Sequence, residues 1–212
     1  MHIELENVLP NEIEKRSMEI LSADLGRDLP ADPAAVIRRV IHTPAAFDYA
    51  DNLVFTPGVC EKAVEALKAG ATIVTDTNMA CAGVNKAACK KLGVEVRCFM
   101  ADEDVAAAAK ANGTTRATAS MDKAAALPGP VIFAIGNAPT ALVRLYELMA
   151  EGKLSPALII GVPVGFVNVV QSKELILTGP APCIVARGRK GGSNVAAAIC
   201  NALLYRATNR TL

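Results

Sequence analysis

At 212 residues, with 22 lysines and arginines against 21 aspartates and glutamates, the chain carries a formal net charge of +1 and is long enough for one substantial core. That balance leaves no basic field for nucleic acid and no polybasic run for a membrane surface. The residues are 52% hydrophobic but only 4% aromatic, so alanine supplies much of the apolar content and close helix packing is favoured over bulky side-chain layers.

Residues 1–7 carry charges where a secretion signal needs an apolar stretch, which reads as a cytoplasmic protein. Residues 10–24 read as a helix, with Ile13, Met18, Ile20, Leu21 and Leu25 as an approximate apolar stripe and Ser17 inside it. Asp32-Pro33 reads as a helix start, Asp32 as cap and Pro33 at the first helical position. Val36, Ile37, Val40 and Ile41 then recur at 3–4 spacing and give that helix a buried face. It ends at His42, because Pro44 disfavours helical geometry at Thr43. Leu53–Phe55 read as a short strand, and Thr56-Pro57 cap a third helix ending at Gly70, with Cys60, Ala63, Val64 and Leu67 inward.

Element types then alternate: a strand over 71–75, a helix over 79–92 closed by Gly93, and a strand over 94–99. Asp102-Glu103-Asp104 open a further helix, where three acids suit the dipole without any metal. An Ala-rich helix over 115–126 breaks at Pro128-Gly129-Pro130 before a strand over 131–135 and a helix over 139–151. Strands over 157–162 and 182–187 and a last helix over 193–206 complete the chain. The apolar run 156–170 is too short for a membrane span and is interrupted by Pro163 and Asn168. Apolar strands separated by helices of about a dozen residues define an α/β fold. The expectation is one domain over 1–212, its mostly parallel sheet covered by helices on both faces.

Of two histidines, His2 adjoins the first methionine, where chains fray. His42 is therefore the one body side chain whose ordinary titration lies near neutrality, and the dipole of a last helical turn favours its protonated form. From these residues alone it reads as readily as a capping or core histidine. In open α/β sheets ligands sit at the carboxyl ends of strands. That points to Asp76-Thr77-Asn78, residues 136–140, residues 161–165 and the loop 187–193. The last joins glycines to Arg187, Arg189 and Lys190, with Ser193 as cap of the following helix, and can cradle an anion. It is neither a Walker A nor a G-x-G-x-x-G motif. Arg116, at a helix opening, runs against the dipole preference and suggests an anion nearby. The six cysteines lack any C-x-x-C pair and read as buried thiols rather than metal or redox ligands.

Several strings, in order and nearly end to end, resemble the precorrin-8X methylmutase family of cobalamin biosynthesis, called cobalt-precorrin-8 methylmutase in the anaerobic branch. They include Glu14-Lys15-Arg16-Ser17, Arg39-Val40-Ile41-His42, Asp76-Thr77-Asn78-Met79 and Asn112-Gly113-Thr114-Thr115-Arg116. Further on stand Gly136-Asn137-Ala138-Pro139-Thr140-Ala141-Leu142, Gly161-Val162-Pro163-Val164-Gly165-Phe166-Val167 and Arg187-Gly188-Arg189-Lys190-Gly191-Gly192-Ser193. Gln171-Ser172-Lys173 stands where family members often carry Glu-Ser-Lys. The resemblance implies an isomerase that shifts a methyl group from C11 to C12 of a tetrapyrrole, with no cofactor and no metal. It implies His42 as the catalytic acid and Ser17 and Arg116 in substrate contact. Asp76, Thr77, Asn78, Lys86 and Asn137 are further substrate-binding candidates, and Val164, Phe166 and Val167 are candidate apolar walls. A homodimer with shared active sites is expected. Two alternatives stand beside it: a tetrapyrrole carrier without catalysis, and an unrelated nucleotide-dependent α/β enzyme.

Overall fold

The pleat divides each apolar strand between two cores. The chain is seen in a computed structural model that describes residue 3 and residues 5–210; His2 lies outside the described residues. The strands are β1 (Leu53–Phe55), β2 (Thr72–Thr75), β3 (Glu95–Arg97), β4 (Val131–Ile135), β5 (Leu158–Gly161) and β6 (Cys183–Ala186). They form one sheet in the order β1-β6-β5-β4-β2-β3, parallel except for β1 against β6. Along β4, Ile132 and Ala134 enter one core while Val131, Phe133 and Ile135 enter the other. A strand buried on both sides needs such a continuous apolar run.

The helices are α1 (Ile13–Leu25), α2 (Ala34–His42), α3 (Tyr49–Asn52), α4 (Val59–Lys68), α5 (Asn78–Gly83), α6 (Lys86–Leu92), α7 (Glu103–Ala111), α8 (Arg116–Ala125), α9 (Pro139–Ala150), α10 (Val169–Leu177) and α11 (Ser193–Ala207). The first six and α11 cover one face of the sheet, and α7 to α10 cover the other. The α/β expectation holds, with helices on both faces and a mostly parallel sheet. On α2, Val36, Ile37, Val40 and Ile41 are at most 3% exposed, each contributing about 1.5–3 kcal/mol of transfer free energy. α11 buries ten residues, mostly alanine, valine and leucine, and its small side chains let α2, α4 and α5 pack closely around it.

Several local expectations are corrected. Asp32 does not cap α2, because its carboxylate pairs with Arg206 at 2.6 Å. Thr56 does not cap α4: its hydroxyl bonds the backbone of Cys183 at the sheet edge. Ser193 is the first residue of α11 rather than its cap, and its hydroxyl meets that of Thr77 at 2.7 Å. The helix expected over 79–92 is two helices, since Asn85 accepts the Ala88 N–H and restarts the turn. On α1, Leu21 is buried and Met18 and Leu25 half-buried, but Ile13 and Ile20 face outward.

β2 leads to β3 on one side and the chain then crosses back to β4 on the other, so the sheet's switch point lies between β2 and β4. In open sheets that crevice is the usual ligand position. Here it is closed. Gly136, at the end of β4, has room for no side chain: a Cβ there would come within 2.8 Å of the Gly192 carbonyl and the Ser193 backbone.

Candidate active site

Asp76 follows β2 directly and is 1% exposed. Its Oδ1 accepts the Gly136 N–H at 2.8 Å, and its Oδ2 accepts those of Asn137 and Ala138 at 2.8 and 2.6 Å. The carboxylate thus occupies the positive opening of α9 that an anionic ligand would otherwise take. Burial raises its pKa, with the three N–H donors pulling the other way. Thr77 accepts the Ala80 N–H as cap of α5 while bonding Ser193. Both residues are engaged inside the protein, and what faces outward beside them is Asn78 and Asn137.

His42 ends α2 and is exposed. It shares a cleft of about 340 Å³ with Ser17, Asp24, Ile41 and Phe47. α1 is held against α2 by the Glu14–Arg39 ion pair, one helical turn before Ser17 on one helix and before His42 on the other. Hydrogen bonding from Arg39 holds the Glu14 carboxyl below its ordinary pKa, with smaller contributions from Arg210 and His42. The loop after His42 leads to α3, and the Asn52 carbonyl accepts the Arg187 N–H at 2.8 Å. The imidazole therefore stands at the end of the sheet where β6 delivers its cationic loop. A larger groove on the other flank of α1, about 790 Å³, is lined by none of the catalytic or substrate-binding candidates named from the sequence.

Arg116 opens α8 and is exposed. Thr115, its neighbour, caps α8 and bonds the Thr140 hydroxyl at 2.9 Å, which brings Arg116 beside the opening of α9 and Asn137. The structure thus gathers Asn78, Asn137 and Arg116 near the switch point, and Ser17 and His42 in the α1–α2 cleft. α8 and α2 lie on opposite faces of the sheet. Lys86 stands apart: its amine donates to the Cys81 carbonyl and touches none of the others.

The loop after β6 presents Arg187, Arg189 and Lys190 to solvent. Arg187 pairs with Glu174 at 3.2 Å and Lys190 with Asp48 at 2.8 Å. Arg189 has no carboxylate partner among the described residues and lies 5.7 Å from the Phe166 ring centre. Phe166 and Val167 are 84% and 78% exposed, an apolar projection at the same end of the sheet. Sequence reasoning missed α10 and gave no role to Lys173, which is fully buried and donates to the carbonyls of Gly188 and Lys190. Burial lowers that amine's pKa to about 8. The available signal was Val169, Ser172, Lys173 and Ile176 at helical spacing, hidden because half of that inward stripe is polar.

Among the described residues no three His, Cys, Asp or Glu side chains converge as metal ligands. Asp102 and Asp104 are both taken by Lys123, at 2.7 Å. Cys60, Cys89, Cys183 and Cys200 are buried, Cys81 and Cys98 partly so, and burial pushes the thiols of Cys60 and Cys200 up to about 12. Such thiols are inert. Conservative replacement of all six is expected to leave turnover within about tenfold, allowing for packing losses; loss of activity from one well-folded single replacement would contradict this.

The molecule is thus an α/β protein whose switch point is closed by its own backbone, with an exposed imidazole and cations on the rim around the strand ends. A family model described as precorrin-8X methylmutase matches residues 12–206, and the chain belongs to that family. It is 44% identical to the cobalt-precorrin-8 methylmutase of Salmonella typhimurium, over 92% of this chain and 95% of that one. With the cobalt-precorrin-8 methylmutase of Priestia megaterium it shares 40% identity over 92% of this chain and 88% of the relative. The solved precorrin-8X methylmutase of Thermus thermophilus superposes with a TM-score of 0.86 at 35% identity, covering 95% of this chain and all of that one. No helix is long and apolar enough to cross a membrane among the described residues.

Proposed function

We propose that this chain is a cytoplasmic isomerase of cobalamin biosynthesis that moves a methyl group from C11 to C12 of precorrin-8X, or of its cobalt-containing counterpart, by acid catalysis at His42. One observation carries the proposal: in a member of this family, the exposed His42 and the hydroxyl of Ser17 share one cleft at the sheet's rim. The acid is His42, whose exposed imidazole stands at the end of α2. Proton donation from it makes the macrocycle electrophilic, the methyl group migrates with its bonding pair, and the proton returns afterwards. Rigid placement of the ring supplies the rest of the rate.

Ser17 orients the reacting edge, while Arg116, Asn78 and Asn137 meet peripheral carboxylates and amide-type groups, and Lys86, set apart on α6, is left out of these contacts. Asp76 and Thr77 act by holding the rim that carries these contacts. Val164, Phe166 and Val167 give the flat macrocycle an apolar wall. A cleft of about 340 Å³ is small for so wide a ligand, and Arg116 lies across the sheet from His42. Both facts favour a homodimer whose second copy completes each site.

Purified protein mixed with precorrin-8X and with its cobalt form, followed by absorbance, tests the reaction. Tight binding without conversion of either would favour a carrier, and nucleotide binding without tetrapyrrole affinity would favour the unrelated α/β enzyme. Arg116→Leu is expected to weaken tetrapyrrole binding by about 1.5–3 kcal/mol, the range for charge-assisted hydrogen bonds. Unchanged affinity in an absorbance titration would remove Arg116 from the site.

A further inference from the structure

A fully buried lysine with no carboxylate beside it is uncommon, because an ammonium leaves water at a large cost unless its N–H groups are satisfied. Lys173 is such a residue. Its amine donates to the Gly188 carbonyl at 2.8 Å and to the Lys190 carbonyl at 2.7 Å. The carbonyl between them, that of Arg189, accepts the Gly165 N–H at 3.2 Å. Three successive carbonyls of the cationic loop are thereby tied to the body of the protein. Among the described residues the N–H groups of Arg189, Lys190 and Gly191 have no acceptor. The loop also lies hard against the strand-β5 connection, since a Cβ at Gly191 would come within 2.0 Å of the Val162 carbonyl. Arg189, which has no carboxylate of its own, is left over the exposed Phe166 ring.

We propose that Lys173 is a positioning residue for the tetrapyrrole: from inside the fold it fastens the loop 188–190, so that Arg189 and the free N–H groups are preset for one of the substrate's carboxylates. The role rests on the functional reading above and concerns binding, not proton transfer. A preset loop loses less conformational freedom when the ligand arrives, which is how preorganisation raises affinity. Lys173 touches neither the cleft of His42 nor the substrate. Its loss acts on affinity and leaves the chemical step of the bound complex in place.

Lys173→Met keeps the length and removes the donors, and an apolar replacement of a buried charge is often tolerated by the fold. Three readouts are expected on the full chain. Precorrin-8X affinity, by absorbance titration, falls at least tenfold. The single-turnover rate at saturation stays within about threefold of wild type. Limited trypsin cleavage after Arg187, Arg189 and Lys190 becomes at least tenfold faster.

Lys173→Gln, with an N–H donor on a shorter arm, falls between the two. Gly191→Ala, which displaces the loop with Lys173 intact, reproduces the affinity loss and serves if the lysine variants do not fold. A purely structural role would instead give fewer active molecules at unchanged affinity, and that result overturns the proposal. So does unchanged cleavage of the loop in Lys173→Met. If wild type neither binds nor converts the tetrapyrrole, the functional reading falls, and the cleavage comparison alone then decides whether Lys173 fastens the loop.

Discussion

His42→Ala is expected to fold, to bind the coloured macrocycle and to lose about two to four orders of magnitude in turnover, the usual share of general acid catalysis. The fold survives because the imidazole is exposed and ends its helix, while the core face of α2 is Val36, Ile37, Val40 and Ile41. Its partner in the cleft, Ser17, remains to contact the ring. The sign of the pH dependence follows from the role. A donor must hold its proton, so the wild-type rate falls through an inflection as pH rises. The residual rate of His42→Ala lacks that inflection. Single-turnover absorbance across the pH range tests both halves, and near-wild-type rearrangement by well-folded His42→Ala would sink the mechanism.

Asp76→Ala is expected to be the most damaging change to stability at the site. Removing the carboxylate strands three N–H groups at about 1–3 kcal/mol each when water cannot reach them. The Gly136 N–H is buried, whereas those of Asn137 and Ala138 are partly accessible to water, so a total of about 3–5 kcal/mol is expected. That corresponds to a fall in Tm on the order of 10 °C for a chain of this size. Asp76→Asn recovers part of the loss, because one amide oxygen still accepts but the NH₂ group faces N–H donors. Thermal unfolding of the three proteins measures the series. A Tm within two degrees of wild type for Asp76→Ala would mean that the turn before α9 holds itself.

The two variants mark what could and could not be read from the chain. β4, β5 and β6 were legible because strands buried on both faces leave unbroken apolar runs, and α2 because Val36, Ile37, Val40 and Ile41 fall at 3–4 spacing. α10 was not, because Ser172 and Lys173 occupy its inward stripe. The capping assignments of Asp32, Thr56 and Ser193 failed for one reason: each polar side chain has a partner far away in sequence, respectively Arg206, Cys183 and Thr77. No local pattern encodes such pairs. His42, Ser17 and Arg116 stood out through strings resembling a family, whereas the inward engagement of Asp76 depends on backbone groups sixty residues on. The Glu14–Arg39 pair was equally hidden, since opposite charges on two helices 25 residues apart carry no period.

α1 buries a single side chain completely, Leu21, where α11 buries ten. Local opening free energies follow buried contact, so amide exchange is expected to be faster in α1 than in α11. Ser17 rides on that helix, while His42 is fixed to the core through the buried face of α2. One wall of the cleft is therefore thinly anchored and the other deeply so.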